Sequence, residues 1–223
     1  MRRPARQRPE LTAVPGFIED RLIPVVPAPP SERAAAEGSP MCAGDLEVLF
    51  AALGRGAVER TLLEATLADP LGNVSTTTVG AHQHPQARLA GSGGGTEPAS
   101  RGSRLVLVSG SASKRNYPEA VDHITRPGLL RSGGERSRLG YPARSGSQLL
   151  LNPLGILEFV DQDLRVSASR PGIPPDRTRG PCGWSLEILV GVARLPELSA
   201  TELAAGRRVL EDARQRLYRI GES

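Results

Sequence analysis

The chain has 223 residues, of which 39% are hydrophobic, and it carries a formal net charge of +4. This length and hydrophobic content suit a globular protein with one sizeable core, and no run approaches the ~18 apolar residues of a membrane span. Aromatic residues make up 3% of the chain and the basic residues are spread along it, which argues against nucleic acid as a partner.

The first part of the chain predicts few regular elements. Residues 1–13 are basic and irregular, and they lack the apolar stretch of a secretory signal, so we expect a cytoplasmic protein with no membrane partner. A short helix is expected between Asp45, a suitable N-cap, and Gly54, a suitable stop. Two strands should follow, over 61–67 and 74–79.

The second part of the chain predicts a layered α/β domain. Residues 104–108 form a short apolar run, typical of a strand that is buried on both faces in a parallel sheet. Further strands are expected over 149–151, 156–160 and 164–168. A capping box at Ser199 and Glu202 should open an amphipathic C-terminal helix.

The domain prediction has three parts. Residues 1–13 form an irregular basic segment, residues 14–190 form the α/β domain, and residues 191–223 form a C-terminal helix that docks on this domain.

Four glycines in five residues mark a candidate binding segment, Gly91-Ser92-Gly93-Gly94-Gly95. Glycine loses much conformational entropy on folding, so a dense run in an ordered region implies positive φ angles or a close approach of backbone to ligand. Its consecutive N–H groups could bind a phosphate, or the oxyanion that a thioester carbonyl becomes under attack. A flexible linker has the same composition, and the run matches no nucleotide-binding motif.

Further motifs surround this run in a fixed order. They are Asp69-Pro70-Leu71-Gly72-Asn73, Ser75-Thr76-Thr77, His84-Pro85-Gln86-Ala87-Arg88, then the glycine run, then residues 120–128, 133–136 and 152–159. The series resembles the B-type subunit of the glutaconate-like family I CoA-transferases. The resemblance covers roughly Val14 to Ile188.

The resemblance implies an open three-layer α/β/α domain of the CoA-transferase type, apparently shortened at its N-terminus. It implies an A-type partner subunit, usually in a heterotetramer, and coenzyme A as a substrate rather than a tightly bound cofactor. An acyl-CoA and a carboxylic acid would exchange CoA through a B-subunit glutamate, because a carboxylate forms a reversible anhydride and thioester. The expected CoA or thioester contacts are Gly91, Ser92, Gly93, Gly94, Gly95 and Asn73.

The sequence departs from the family at the catalytic glutamate. The family tripeptide E-S-G reads Val14-Pro15-Gly16 here, and valine offers no nucleophile, acid or base. Glu97 is an alternative carboxylate two residues after the glycine run, although family members often carry Asp there without using it as nucleophile. Three hypotheses stay open: CoA transfer, hydrolysis by an A-subunit carboxylate as in the relatives that open steroid-derived rings, and a non-catalytic scaffold subunit.

The remaining polar candidates have ordinary explanations. His82 and His84 have no third ligand nearby, so we expect no metal site and assign them to positioning of the following loop. His123 is expected in the core. Lys114 and Arg115 either contact CoA phosphates or belong to a solvated loop. The two cysteines, Cys42 and Cys182, should be free thiols, and Trp184 a packing residue.

Overall fold

The structure is a computed structural model that describes residues 11–13, 17–19, 42–43, 46–55, 58, 60–102, 104–131, 134–142, 145–180 and 182–220. Its strands in chain order are β1 (Leu11–Ala13), β2 (Phe17–Glu19), β3 (Cys42–Ala43), β4 (Thr61–Glu64), β5 (Leu67–Ala68), β6 (Val74–Ser75), β7 (Thr78–Val79), β8 (Ala87–Arg88), β9 (Leu105–Val108), β10 (Ser147–Asn152), β11 (Gly155–Val160), β12 (Asp163–Ser169) and β13 (Glu187–Arg194). Its helices are α1 (Leu46–Gly54), α2 (Thr96–Arg101), α3 (Glu135–Arg138), α4 (Pro175–Arg179) and α5 (Ala200–Ile220).

The chain divides into two compact units, one formed by Met1–Ala52 with Leu198–Ser223 and the other by Leu53–Glu197. In the first unit, β1, β2 and β3 form an antiparallel sheet in that order. Helix α5 begins with the predicted capping box: Glu202 N–H donates to Ser199 Oγ over 3.2 Å, and Ser199 N–H donates to Glu202 Oε2 over 2.8 Å. The helix is confirmed, and its docking on the α/β domain stays a prediction.

A six-stranded mixed sheet forms the centre of the second unit, in the order β13-β12-β11-β10-β9-β4. Strands β4, β9 and β10 run parallel, β11 and β12 follow as antiparallel hairpins, and β13 is parallel to β12. The apolar run at 104–108 therefore does form a strand between two parallel neighbours. Leu105 and Leu107 are buried whereas Val108 is 37% exposed, so the prediction that both faces are buried was wrong.

The core packs against this sheet. Its largest fully buried side chains include Leu105, Leu107, Leu150, Leu157 and Val166, which lie on four neighbouring strands. Trp184 packs against this cluster and meets the ring of Tyr117 edge to face, with ring centroids 6.3 Å apart, which confirms its packing role.

Two predicted strands are interrupted, and hydrogen bonds explain the breaks. Predicted strand 61–67 stops at Glu64, and the carbonyl of Thr66 accepts a bond from Asn116 Nδ2 over 2.8 Å rather than from a neighbouring strand. Predicted strand 74–79 breaks into β6 and β7, because Thr76 N–H donates to the Thr125 hydroxyl over 3.1 Å. Side-chain competition of this kind is typical of threonine and asparagine.

Helix α2 and strand β13 are among the elements that sequence prediction missed. Helix α2 contains a proline and follows the glycine run without a side-chain cap, so it lacks the usual start signals. Strand β13 contains Gly191 at φ +77°, an irregularity that weakens the strand pattern. Within the described part of the chain, no helix has the length and apolar character needed to cross a membrane.

Candidate functional site

The carboxyl ends of three parallel strands meet at one edge of the central sheet. Strand β4 ends at Glu64 opposite Val108, where β9 ends, and Val108 also pairs with Leu151 of β10. In open α/β sheets, ligands bind in the crevice beyond the carboxyl ends of the strands. This edge is therefore the first place to look for a binding site.

The glycine turn, residues Gly91 to Gly95, is tied to this edge. Gly91, Gly93 and Gly94 have φ angles of +94°, +52° and +76°, in the left-handed region that favours glycine, which confirms the positive φ angles predicted from the sequence. Gly95 returns to φ −78°, so the main chain changes hand between Gly94 and Gly95. Such changes of hand occur in the backbone concavities that bind anions.

The hydrogen bonds of the glycine turn leave three donors unused. Gly91 N–H donates to the Thr76 carbonyl over 2.7 Å, and Gly95 N–H closes the turn on the Ser92 carbonyl over 2.8 Å. The N–H groups of Ser92, Gly93 and Gly94 meet no acceptor among the described residues. Because Gly93 is exposed and its neighbours are half-buried, a ligand has access to these donors.

Arg126 lies beneath the turn and is 9% exposed. Its Nη1 donates to the Glu64 carbonyl at the end of β4, and its Nη2 donates to the Ser92 carbonyl over 3.1 Å. A Cβ atom at Gly95 would lie 2.3 Å from Arg126 Nε, so the guanidinium also explains why residue 95 is glycine. Burial lowers the pKa of Arg126, and the Glu64 carboxylate opposes that shift.

Thr125 joins the same segments from its other side. Its hydroxyl accepts from Thr76 N–H over 3.1 Å and lies 2.7 Å from the Thr77 hydroxyl. Its carbonyl accepts from Thr96 Oγ1 over 2.9 Å, which attaches the start of α2. The pair Thr125 and Arg126 thus holds both ends of the glycine turn.

Asn73 has a structural role in the turn between β5 and β6. Its Nδ2 donates to Asp69 Oδ2 and to the Leu130 carbonyl, over 3.0 and 2.9 Å. Its Oδ1 accepts from Gly128 N–H and Leu130 N–H, over 2.9 and 3.0 Å. All its side-chain donors and acceptors are used and the residue is 2% exposed, so the predicted contact between Asn73 and CoA finds no free group.

Asp69 organises this turn as its main acceptor. Its Oδ1 accepts from the N–H groups of Leu71 and Asn73, each over 3.0 Å. Burial raises the pKa of Asp69, while the bonds that it accepts, above all from Asn73, oppose the shift. The D-x-x-G-N motif is therefore a self-contained turn that places the following strand.

The alternative catalytic carboxylate, Glu97, gains no support from the geometry. Glu97 lies on α2 with its side chain 44% exposed, and its Oε2 forms an ion pair with Arg101 Nε over 3.3 Å. This surface pair, one helical turn apart, is an ordinary solvated contact. Val14 lies outside the described residues.

Comparison with known proteins agrees with the motif series. The chain is 32% identical over 146 residues to the B subunit of glutaconate CoA-transferase from Acidaminococcus fermentans, and 27% identical over 154 residues to the B subunit of 3-oxoadipate CoA-transferase from Pseudomonas knackmussii. These matches cover 65% and 68% of this chain. Over about two thirds of its length the chain is thus similar to the B-type subunits of family I CoA-transferases.

The fold supports the same assignment. The crystal structure of glutaconate CoA-transferase from Acidaminococcus fermentans matches 89% of this chain and 76% of that chain, with a TM-score of 0.74 and 26% identity. The CoA-transferase fold, a mixed central sheet with flanking helices, is thereby confirmed. The matched region spans 53% and 58% of the two curated relatives, about half of their length. No model of a known protein family matches the sequence.

The histidines of this CoA-transferase relative lie at the surface. The rings of His82 and His123 stack with centroids 4.4 Å apart, His82 exposed and His123 half-buried, so the prediction that His123 packs in the core was wrong. Among the described residues no group of three or more His, Cys, Asp or Glu side chains could hold a metal. Lys114 and Arg115 are exposed after β9, and their contact with CoA stays a prediction.

The residues that sequence reasoning missed are Thr125, Arg126 and Arg136. Arg136 is 5% exposed and donates to the carbonyls of Ser100 and Gly128, over 3.0 and 2.6 Å. Thr125 and Arg126 lie inside a motif that marked the family, but buried arginines bonded to main-chain carbonyls have no signature in a single sequence.

Proposed function

We propose that the chain is the B-type subunit of a cytoplasmic, hetero-oligomeric enzyme that acts on acyl-CoA thioesters and transfers CoA between carboxylic acids. The observation that carries this proposal is that the N–H groups of Ser92, Gly93 and Gly94, at the carboxyl edge of the sheet, meet no acceptor in the part of the chain that the structure describes. In the proposed complex these groups bind the thioester carbonyl of an acyl-CoA. The similarity to CoA-transferase subunits suggests the reaction, attack on a thioester, in which these donors would take part.

The proposed role of the glycine turn is electrostatic. Attack on a thioester carbonyl places negative charge on its oxygen, and fixed N–H donors stabilise that charge more than they stabilise the neutral carbonyl. Backbone donors need no reorganisation during the reaction. The guanidinium of Arg126 lies on the inner side of the turn, bonded to the Ser92 carbonyl, and adds positive charge behind these donors.

The nucleophile of the proposed reaction comes from elsewhere. Val14 stands where the family resemblance expects glutamate, and an isopropyl side chain cannot attack a thioester. We therefore assign the attacking group to the A-type subunit or to a molecule that it binds. Glu97 is held by Arg101 and exposed, which supports a solvent role.

Hydrolysis is the second candidate, and the valine at position 14 favours it. Without a B-subunit carboxylate, no glutamyl-CoA intermediate forms on this chain, and water can take the place of the acceptor acid. A subunit that only supports the fold of its partner is the third candidate.

Turnover by the complex separates these candidates. The full chain is co-expressed with an A-type CoA-transferase subunit and purified as a complex. Glutaconyl-CoA and 3-oxoadipyl-CoA are the first donors to test, since the two relatives are named for these dicarboxylic acids. Release of CoA without an added acid and formation of a new acyl-CoA with added acetate or succinate are followed separately.

Each result assigns one function. Transfer predicts a new acyl-CoA only when the free acid is present, and hydrolysis predicts free CoA at a rate that the acid does not change. A complex that forms but turns over no donor supports the scaffold role and contradicts both enzymatic proposals. The A-type subunit alone is the control, because its own activity must be subtracted.

A further inference from the structure

Arg126 makes two hydrogen bonds that connect the glycine turn to the central sheet. One Nη group binds the carbonyl of Glu64, where β4 ends, and the other binds the carbonyl of Ser92 inside the turn. Residues 64 and 92 are thereby joined through a residue that is far from both in sequence. A planar guanidinium can reach two acceptors in fixed directions, whereas an ammonium acts as a single point charge.

The bond to Ser92 determines where the next donor points. A trans peptide is planar, so its carbonyl and the N–H of the following residue point in opposite directions. The Ser92 carbonyl points to Arg126 and also accepts the Gly95 N–H over 2.8 Å. The N–H of Gly93 must therefore point away from the guanidinium, towards the exposed side of the turn.

The space around the turn agrees with this arrangement. A Cβ atom built on Gly93 would meet no atom within 4 Å, so the outer side of the turn is open. A Cβ atom on Gly95 would strike the guanidinium, so the inner side is filled. The main-chain bridge from Val74 to Arg126, with N–H to carbonyl distances of 3.0 Å in both directions, fixes the backbone from which the arginine reaches.

We propose that Arg126 is a positioning residue that orients the Gly93 N–H, and with it the glycine turn, towards the thioester oxygen. This inference rests on the proposed function for the identity of the ligand. The orientation itself is a property of the chain alone. Arg126 touches no reacting atom in this account, and it acts through the Ser92 peptide.

Amide hydrogen exchange on the full chain tests the orientation without a partner. In Arg126→Ala, the Gly95 amide, which is bonded to the Ser92 carbonyl, should exchange at least about tenfold faster than in wild type. The Gly91 amide, which is bonded to the Thr76 carbonyl, should change by less than about twofold. Equal acceleration of both amides, or of neither, would overturn the proposal.

Two further variants keep this test informative. Arg126→Lys retains the charge but cannot donate to both carbonyls at once, so the Gly95 amide should exchange faster in this variant too. This variant decides the result if Arg126→Ala does not fold. Arg101→Ala is the matched control. It removes a 57% exposed arginine at the other end of α2 and should leave both amides unchanged.

Kinetics of the active complex give the second readout. Arg126→Ala should lower kcat by about 10²-fold with KM within about threefold, since a misdirected oxyanion donor weakens mainly transition-state binding. Millimolar guanidinium should restore at least about a tenth of the lost activity in Arg126→Ala and none in Arg101→Ala. Unchanged kcat per folded complex would overturn the proposal.

A wild-type complex without turnover would instead overturn the proposed function. The result of the amide exchange would then decide this inference.

Discussion

Arg126 and Arg136 are buried cations that bind main-chain carbonyls. Arg136 donates to Ala99 and Ser100 at the end of α2, and to Gly128 after Arg126, over 3.2, 3.0 and 2.6 Å. Burial lowers the pKa of both guanidinium groups, but arginine stays charged in proteins, so these hydrogen bonds are charge-assisted. Two arginines thus hold the loops that surround the glycine turn.

Gly128 shows how tightly these loops approach each other. A Cβ atom there would lie 2.2 Å from the carbonyl carbon of Gly72 and 2.3 Å from the Leu71 oxygen, and backbone atoms cannot move aside as a side chain can. Gly128→Ala should therefore lower the free energy of unfolding by at least about 2 kcal/mol in urea titrations. Gly110→Ala, with no atom within 4 Å, is the control and should stay within about 0.5 kcal/mol. Equal effects in the two variants would refute the close approach.

Cys182 should be an unreactive thiol in the folded chain. It is 6% exposed, and burial raises its pKa from 9.0 to about 12. At pH 8 we expect iodoacetamide to alkylate the folded protein at least about 100-fold more slowly than the urea-unfolded protein, in a Cys42→Ser background. The raised pKa of Cys182 also makes the stability of the fold depend on pH. Below pH 9.0 the thiol is protonated in both the folded and the unfolded state, and between pH 9.0 and about 12 only the unfolded state loses the proton. Stability should therefore fall as pH rises through that window, and rapid alkylation at pH 8 would contradict the burial.

At the scale of elements, the β11–β12 hairpin has a two-residue turn under conformational strain. Asp161 and Gln162 have φ angles of +52° and +75°, as a type I′ turn requires, and Val160 pairs with Asp163 across it. Replacing both by Asn-Gly should raise the free energy of unfolding by about 1 kcal/mol, since these residues adopt positive φ more readily.

Urea denaturation of three proteins checks this turn. The double variant Asp161→Asn/Gln162→Gly should be more stable than wild type, while Gln162→Ala, which keeps a Cβ atom at positive φ, should give no gain. A double variant less stable than wild type would show that the turn has another geometry.

The same elements show what could be predicted from sequence. The strands β9, β11 and β12 were predictable because their apolar residues follow the pattern of a central sheet. The capping box likewise predicted the start of α5. The breaks at Thr66 and Thr76 were not, because partners distant in sequence, Asn116 and Thr125, take over their hydrogen bonds. For the site, the glycine turn was visible as composition. Its support by Arg126 depends on tertiary burial that no local pattern encodes.

At the scale of the whole molecule, a CoA-transferase fold is combined with a valine where the family nucleophile is expected. The glycine turn presents the N–H groups of Ser92, Gly93 and Gly94, which meet no acceptor among the described residues, and we propose that they form an oxyanion site. The two features are compatible if this subunit stabilises the transition state and another component attacks.

A crystal structure of the complex with an A-type subunit and a non-hydrolysable acyl-CoA analogue tests the central claim most directly. The account predicts the carbonyl oxygen of the analogue within about 3 Å of at least two of the nitrogen atoms of Ser92, Gly93 and Gly94. An analogue bound with its carbonyl elsewhere, and the glycine turn in contact with solvent alone, would contradict it.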